Sequence, residues 1–340
     1  MRSVLTYLFV GSLSLIAFTS VNAQSNILNA KTPIEVGELT EDQKEYDDNQ
    51  PLDYGYVGDR DILWSKSVWE KIDLKQKVNF PLYYPTKRTV ISKNRRPLFQ
   101  VLVDGIKDGA SDEPSDNAIK QIYRTSYFNE DAKLVDEEAL ARLSHISLPD
   151  AAYNILDQYG ITGTETVDLL LQRFMAGTLE DYPELYPSDL LAQLEPFLIP
   201  EEITALDIEF YHIKGIWYFD KRQGEMRYRI LAIAPVGVDV KKKGSGDEGE
   251  PIEYFWVWYP DARNALHNAN VLNSQNSSKP ISFDHLLNSR RFGAVIYQTE
   301  NEYGDREVKE YIQDDAMMQL LESDRLKEEI RNFELDMWNH

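Results

Sequence analysis

The chain has no cysteine among its 340 residues. Disulfides, thiol nucleophiles and thiolate metal sites are thereby excluded, and so is a lipid carried on an amino-terminal cysteine. Histidine is scarce: His145, His212, His267, His285 and His340 stand far apart, none with a second histidine at ligand spacing. There is no Gly-x-Ser-x-Gly elbow, no glycine-rich phosphate loop and no His-Glu-x-x-His zinc helix. Apolar runs long enough for a spanning helix are also missing after Phe18. No catalytic, metal-binding or cofactor-binding residues are predicted.

What is present begins with Arg2, an apolar run from Val4 to Phe18 and the small-residue end Val21-Asn22-Ala23. Together they predict a secretory signal peptide over 1–23, cleaved before Gln24. The formal net charge of -21 is unevenly spread. Gln24–Asp53 holds eight acids against two bases, Arg60–Gln100 ten bases against three acids, and Val101–Phe210 twenty-three acids against six bases. A basic island thus lies between two acidic stretches. It either pairs with acids of its own chain or offers a docking surface to an acidic partner, another copy of the chain included. A polyanion such as nucleic acid would be repelled by the molecule as a whole.

Residues 24–56 are rich in acids, Asn, Pro and Gly and keep no regular period, which predicts an extended acidic arm that orders only on a partner. Residues 57–340 then form a single α+β domain divisible into two lobes, 57–200 mainly helical and 201–340 a sheet plus a C-terminal helix. Between Ile62 and Lys77, Trp64, Val68, Trp69 and Ile72 fall on one arc of a helical wheel, so a helix is predicted there, ending before Asn79-Phe80-Pro81. Further helices are expected from Asp150, as its cap, to Tyr159, after Gly163 with Val167, Leu170, Leu171 and Phe174 inward, and from Ser188 to Glu195. Two long strands joined by Lys221-Arg222-Gln223-Gly224 read as a hairpin. A polar loop over Lys241–Pro251, a strand IEYFWVWYP, a helix capped by Asp261, and a strand around Phe292–Gln298 follow. The last helix runs from Asp314 with Leu326, Ile330, Phe333 and Met337 on one face. The fold class is therefore α+β, with a helical first half, an antiparallel sheet in the second half and a C-terminal helix.

Acidic pairs such as Asp47-Asp48, Glu201-Glu202 and Asp314-Asp315 are too common in so acidic a chain to mark an acid and base. The stretch from Asp104 to Asp116 places acids every fourth residue, where a calcium loop needs them at alternate positions, and reads as a solvated loop. Trp217, Trp256 and Trp258 lie in strands and are expected in the core, Trp256 and Trp258 sharing a face with Ile252 and Tyr254.

The segment DRDILWSKSVWEKIDLKQKVNFPLYYP (Asp59–Pro85) resembles the hallmark of the GldN/PorN family of gliding-motility proteins. WYPDARNALHNANVLN (Trp258–Asn273), SFDHLLNSRRFGAVIYQTENEYGDREVKEYI (Ser282–Ile312) and LLESDRLKEEIRNFELDMW (Leu320–Trp338) are similar to it as well. The resemblance implies a non-enzymatic, cofactor-free component of the type IX secretion system, in the periplasm and associated with the outer membrane through a partner. The implied partners are an outer-membrane lipoprotein of the GldK/PorK type, copies of the chain itself in a ring, and the periplasmic part of an inner-membrane motor protein of the GldM/PorM type. In such a subunit the 62–77 helix would bury Trp64 and Trp69 as structural aromatics. VNFPLYYP would leave it as an extended strip presenting Tyr83 and Tyr84 to a neighbour, and Lys87, Arg88, Lys93, Arg95 and Arg96 would face acidic surface on the next subunit. Two alternatives stay open: a periplasmic hydrolase, favoured by convergent carboxylates in a cleft, and a carbohydrate-binding protein, favoured by Trp217 or Trp258 exposed on a sheet face.

Overall fold

A computed structural model describes residues 50–338 apart from 87–94, 147, 176–177, 179–181, 183, 244–248, 272, 274–280 and 314. The predicted signal peptide, residues 24–49 of the arm, and Lys87, Arg88 and Lys93 lie outside the described residues.

In chain order, strand β1 (Ile62–Asp73) leads to the short helix α1 (Phe80–Tyr83), to α2 (Leu98–Gly109), and to the two-residue strand β2 (Ile122–Tyr123). Next come α3 (Asp136–Ala141), β3 (Ser144–His145), α4 (Asp150–Gln158), α5 (Thr164–Met175), α6 (Ser188–Leu194) and β4 (Glu201–Glu202). The long hairpin β5 (Ile208–Asp220) and β6 (Glu225–Gly237) follows, then β7 (Ile252–Glu253), β8 (Trp256–Trp258), α7 (Tyr259–Asn268), β9 (Asn270–Val271) and β10 (Ile281–Ser282). The chain closes with α8 (Phe283–Asn288), β11 (Val295–Thr299), α9 (Val308–Tyr311) and α10 (Ala316–Trp338). The fold is α+β, as the sequence predicts.

One seven-stranded antiparallel sheet, in the order β11-β1-β5-β6-β8-β2 with β7 beside β6, organises the domain. On one face α2, α7 and α8 seal the main core around Ile72, Tyr211, Ile213 and Ile233. Further along the same face α10 lays Leu326 and Ile330 over Val68 and Ile296. The opposite face carries a small cluster of Trp69, Ala232, Ala234 and Trp256, against which Tyr123 and Phe128 pack. Helices α4, α5 and α6 enclose a separate core, with Leu156, Leu170 and Leu190 fully buried. The β3–β4 pair clasps the two ends of this helical excursion.

The helix predicted over 62–77 is instead the second strand of the sheet. Trp64, Val68 and Ile72 face α10 and the main core, while Trp69 faces the opposite cluster. A strand covered on both sides carries apolar residues at both parities, and here their spacing of four, one and three imitates a helical arc. Its β-branched and aromatic content was the better guide. VNFPLYYP is likewise no extended strip. Phe80–Tyr83 form a helical turn with Pro81 in its first turn, where a missing N–H costs nothing. Asp150 and Asp261 are not caps: Pro149 and Trp258 hold those positions, and the Asp261 carboxylate accepts the N–H groups of Lys120 and Gln121 at 2.6 and 2.8 Å. Asp104 and Asp108, expected in a loop, lie on α2. Tyr254 packs in the main core on the face opposite Trp256, and Ile252 is exposed. The helices at 164–175 and 188–194, the hairpin and the C-terminal helix form where they are predicted.

Candidate assembly surfaces

Around the predicted strip, Val78, Phe80 and Tyr84 are exposed. The Phe80 and Tyr84 rings meet edge-on at 5.5 Å, as do Tyr83 and Tyr84 at 4.8 Å. Tyr83 itself turns inward and packs against the main core. The two tyrosines therefore divide: Tyr83 anchors the turn and Tyr84 is displayed. Arg96 forms an ion pair with Asp104 of α2, whose other carboxylate oxygen takes the Gln100 amide at 2.7 Å. Arg95 forms an isolated parallel bridge to Asn270. Elsewhere in the basic island, Lys66 pairs with Glu329 at 2.7 Å and Lys75 with Glu209 at 3.4 Å, while Lys71 lies 3.5 Å from the Phe210 ring centre. Much of the island's described charge thus finds partners inside its own chain.

Trp64 stacks on Phe333 of α10, with ring centres 4.7 Å apart and planes inclined by 21°. Beside this pair a groove of about 430 Å3 opens, lined by Trp64 and, from α10, by Arg325, Glu329, Asn332, Phe333 and Asp336. Trp69 is fully enclosed, and the Lys214 ammonium lies 4.4 Å from its ring centre.

The most highly structured polar site escaped the sequence reading. Glu70, almost fully buried on β1, takes both arms of the Arg290 guanidinium at 2.9 and 2.7 Å and the Tyr228 hydroxyl at 2.8 Å. The same guanidinium covers the Tyr228 ring at 4.0 Å and lies 5.2 Å from the Trp217 ring centre. Burial, with the Glu70 charge beside it, pushes the Tyr228 hydroxyl well above the usual tyrosine range. Burial works against the Arg290 charge, yet its hydrogen bonds to Glu70 hold it above its ordinary value. Room for Tyr228 comes from Gly215 on β5, where a Cβ would stand 2.1 Å from the hydroxyl. Arg290 is held at φ +51°, a left-handed backbone that a non-glycine residue seldom adopts. Only a reading of 62–73 as a strand could have flagged Glu70, since it then falls on the inward face between Val68 and Ile72.

A second buried cluster fastens the end of the arm. Arg263 on α7 pairs with Asp284 on α8 at 3.0 Å and donates to the Leu52 carbonyl, and the Tyr54 ring lies against that guanidinium at 4.2 Å. Arg229 and Arg222 donate to the carbonyls of Gly55 and Tyr56. Residues 52–56, counted in the arm by the sequence reading, are therefore seated on the domain.

These features describe surfaces and buried scaffolding. Trp217 lies beneath Arg290 and Tyr228, and Trp258 meets the Phe128 ring at 5.0 Å, so neither is a bare platform for a sugar. Among the described residues no three acids or histidines gather as a metal site.

The model of one protein family, described as "Gliding motility associated protein GldN", matches residues 57–339. The chain belongs to the GldN family. The match begins just before β1 and ends at the close of α10, so the sheet, the buried Glu70 site and the Trp64–Phe333 groove are all parts of the GldN domain. A search of the curated proteins finds no match. The helical excursion over α4–α6 also falls within the GldN match.

Proposed function

We propose that this GldN-family chain is a non-enzymatic periplasmic subunit of the type IX secretion and gliding-motility machinery. It assembles with copies of itself and with an outer-membrane lipoprotein of the GldK/PorK type into a ring, and meets the periplasmic part of a GldM/PorM-type motor protein. The observation that carries this reading is membership of the gliding-motility family across the whole described domain. In support, the conspicuous polar sites are buried and spent on rigidity, while the aromatic Tyr84 and Phe80 and the aliphatic Val78 are left on the surface. Exposed aromatics of this kind are enriched among residues that dominate protein–protein binding.

The test is affinity capture of the tagged chain from detergent-solubilised envelopes, followed by negative-stain microscopy. Closed rings containing a lipoprotein are expected. Recovery of the chain alone as a monomer overturns the assembly reading, and a turnover activity in the purified chain overturns the non-enzymatic one.

A further inference from the structure

The ladder between β1 and β11 slips by one residue at its centre. Trp69 pairs with Gln298 and Glu70 with Ile296, so Tyr297 is an extra residue on β11. Such a bulge re-aims side chains, and here the consecutive Tyr297 and Gln298 line the same cavity, of about 390 Å3. Tyr297 packs against the Trp69 cluster, which places the cavity on the face of the sheet turned away from the main core.

Four carboxylates line it, those of Glu253, Asp305, Glu307 and Glu310, against one cation, Arg306. The Arg306 guanidinium lies over the Tyr303 and Tyr311 rings, at 5.5 and 5.2 Å from their centres, and makes no ion pair among the described residues. Glu253 is held by the His212 and Trp256 rings at 2.6 and 2.7 Å, and Glu307 lies 3.3 Å from the exposed Lys309. Glu310 pairs with no cation among the described residues. Behind the wall, Lys214 donates to the Ser126 carbonyl at 2.9 Å. Gln298 is only 8% exposed: its amide nitrogen donates to the Tyr127 hydroxyl at 3.2 Å and to the Asp305 carbonyl, and its amide oxygen has no partner among the described residues. Burial, with the Glu253 and Glu307 carboxylates near it, pushes the Tyr297 hydroxyl well above the usual tyrosine range, so it stays protonated.

A buried acceptor without a donor, set among carboxylates and tyrosine rings, suits a ligand that brings donors and positive charge together. A guanidinium presents only N–H donors, is planar enough to lie on an aromatic face, and gives up its hydration more readily than an ammonium. A metal ion fits poorly, because no three acids or histidines among the described residues stand close enough to hold one. Tyr127 and Tyr303 line the cavity and are exposed, and exposed aromatics beside a charged pocket are residues that a protein partner buries.

We infer that the cavity is a receptor for an arginine side chain of a protein that docks on this face. That a partner docks here rests on the assembly reading above; the chemistry of the receptor does not. The chain itself offers few occupants. Of its arginines only Arg2, in the predicted signal peptide, and Arg88 lie outside the described residues. The segment that holds Arg88 is anchored on the other face of the sheet, by Tyr83 against the main core before it and by Arg95 beside Asn270 after it.

The test titrates the purified full chain with N-acetyl-arginine methylamide, followed by the NMR signal of the Trp256 indole, which donates to Glu253. Saturable binding is expected, and the citrulline analogue, which keeps the shape and loses the charge, should bind at least about tenfold more weakly. Glu307→Gln combined with Glu310→Gln should weaken the arginine probe by about tenfold or more at an unchanged melting temperature. Glu302→Gln, at an exposed acid of the same turn outside the lining, should change neither. In capture from solubilised envelopes the double variant should recover its partners at a correspondingly lower yield. No saturable binding, or equal binding of the two probes, overturns the inference. Binding that emerges only in Arg88→Ala shows a cavity filled by its own chain and overturns it too. Probe binding lost in the double variant with capture unchanged keeps the receptor and overturns the docking. Capture of no partner by the parent chain overturns the assembly reading, and the docking with it, while the titration still decides the receptor.

Discussion

At the scale of single residues, the Glu70 site is the place where sequence and stability are most tightly coupled. A carboxylate with about 1% exposure is tolerable only because Arg290 and Tyr228 answer it from two other elements. Arg290→Ala leaves that carboxylate buried with one hydrogen bond, and the expected loss is about 3–5 kcal/mol of folding stability, read by urea denaturation. Glu70→Gln keeps the shape and one acceptor and should cost less. Gly215→Ala should be as damaging as Arg290→Ala, because the added methyl would occupy the position of the Tyr228 ring. If Gly215→Ala melts like the parent, Tyr228 is not held over β5 in the way described. Asp207 provides a titratable counterpart. Burial raises its pKa, but hydrogen bonds from Lys243 and Thr204 outweigh it and the net value is lowered. A carboxyl whose folded value lies below its unfolded one stabilises the fold above the unfolded range, and that contribution is lost as pH falls through the folded value. Asp207→Asn should therefore flatten the acid limb of the stability profile, lowering stability at neutral pH and changing little below the folded value of the carboxyl, as read by urea denaturation across pH.

At the scale of elements, legibility followed the number of faces an element shows to the core. The hairpin was readable because Lys221–Gly224 is a polar turn ending in a glycine at φ +67°, set between two β-rich runs. Helices α5 and α6 were readable because each buries one stripe. Strand β1 was not, since it is covered on both faces, and its apolar residues lose the alternation that marks a half-buried strand. The same loss hid Glu70, whose partners lie 158 and 220 residues away and leave no local mark. Trp64 was placed in the wrong element: it lies on β1, partly buried, and stacks on Phe333 in the C-terminal half of α10, where Lys66 pairs with Glu329. Phe333→Ala should free that half of the helix, so amide exchange over 327–338 is expected to rise while exchange in β5 and β6 stays slow. Helices α4–α6 form a core of their own, attached through the two-residue β3–β4 ladder. Amides of Leu156 and Leu170 should accordingly exchange faster than those of Ile213 and Ile233, through an opening that leaves the sheet intact. Equal protection in both regions would show one cooperative unit instead.

At the scale of the whole molecule, the proposed assembly needs apolar side chains left on the surface, and the aromatic turn after β1 offers Phe80 and Tyr84. The residue roles there differ from those expected of an extended strip. Tyr84 is half exposed and its ring meets those of Phe80 and Tyr83, whereas Tyr83 packs on the main core and Arg96 is engaged with Asp104. Tyr84→Ala should therefore leave the melting temperature of the isolated subunit unchanged and weaken assembly, since truncating an aromatic at a binding hot spot typically costs about 2 kcal/mol or more. Tyr83→Ala should lower stability by about 1–3 kcal/mol before any effect on assembly is measured. Arg96→Glu places a carboxylate beside Asp104 and should destabilise the start of α2, and Arg95→Glu, at a side chain whose Nε is buried, should lower stability as well. Melting and ring recovery measured on all four variants separate the cases. Should Tyr84→Ala unfold as readily as Tyr83→Ala, the turn is core on both sides; should it melt normally and still form rings at full yield, the assembly surface lies elsewhere on the domain.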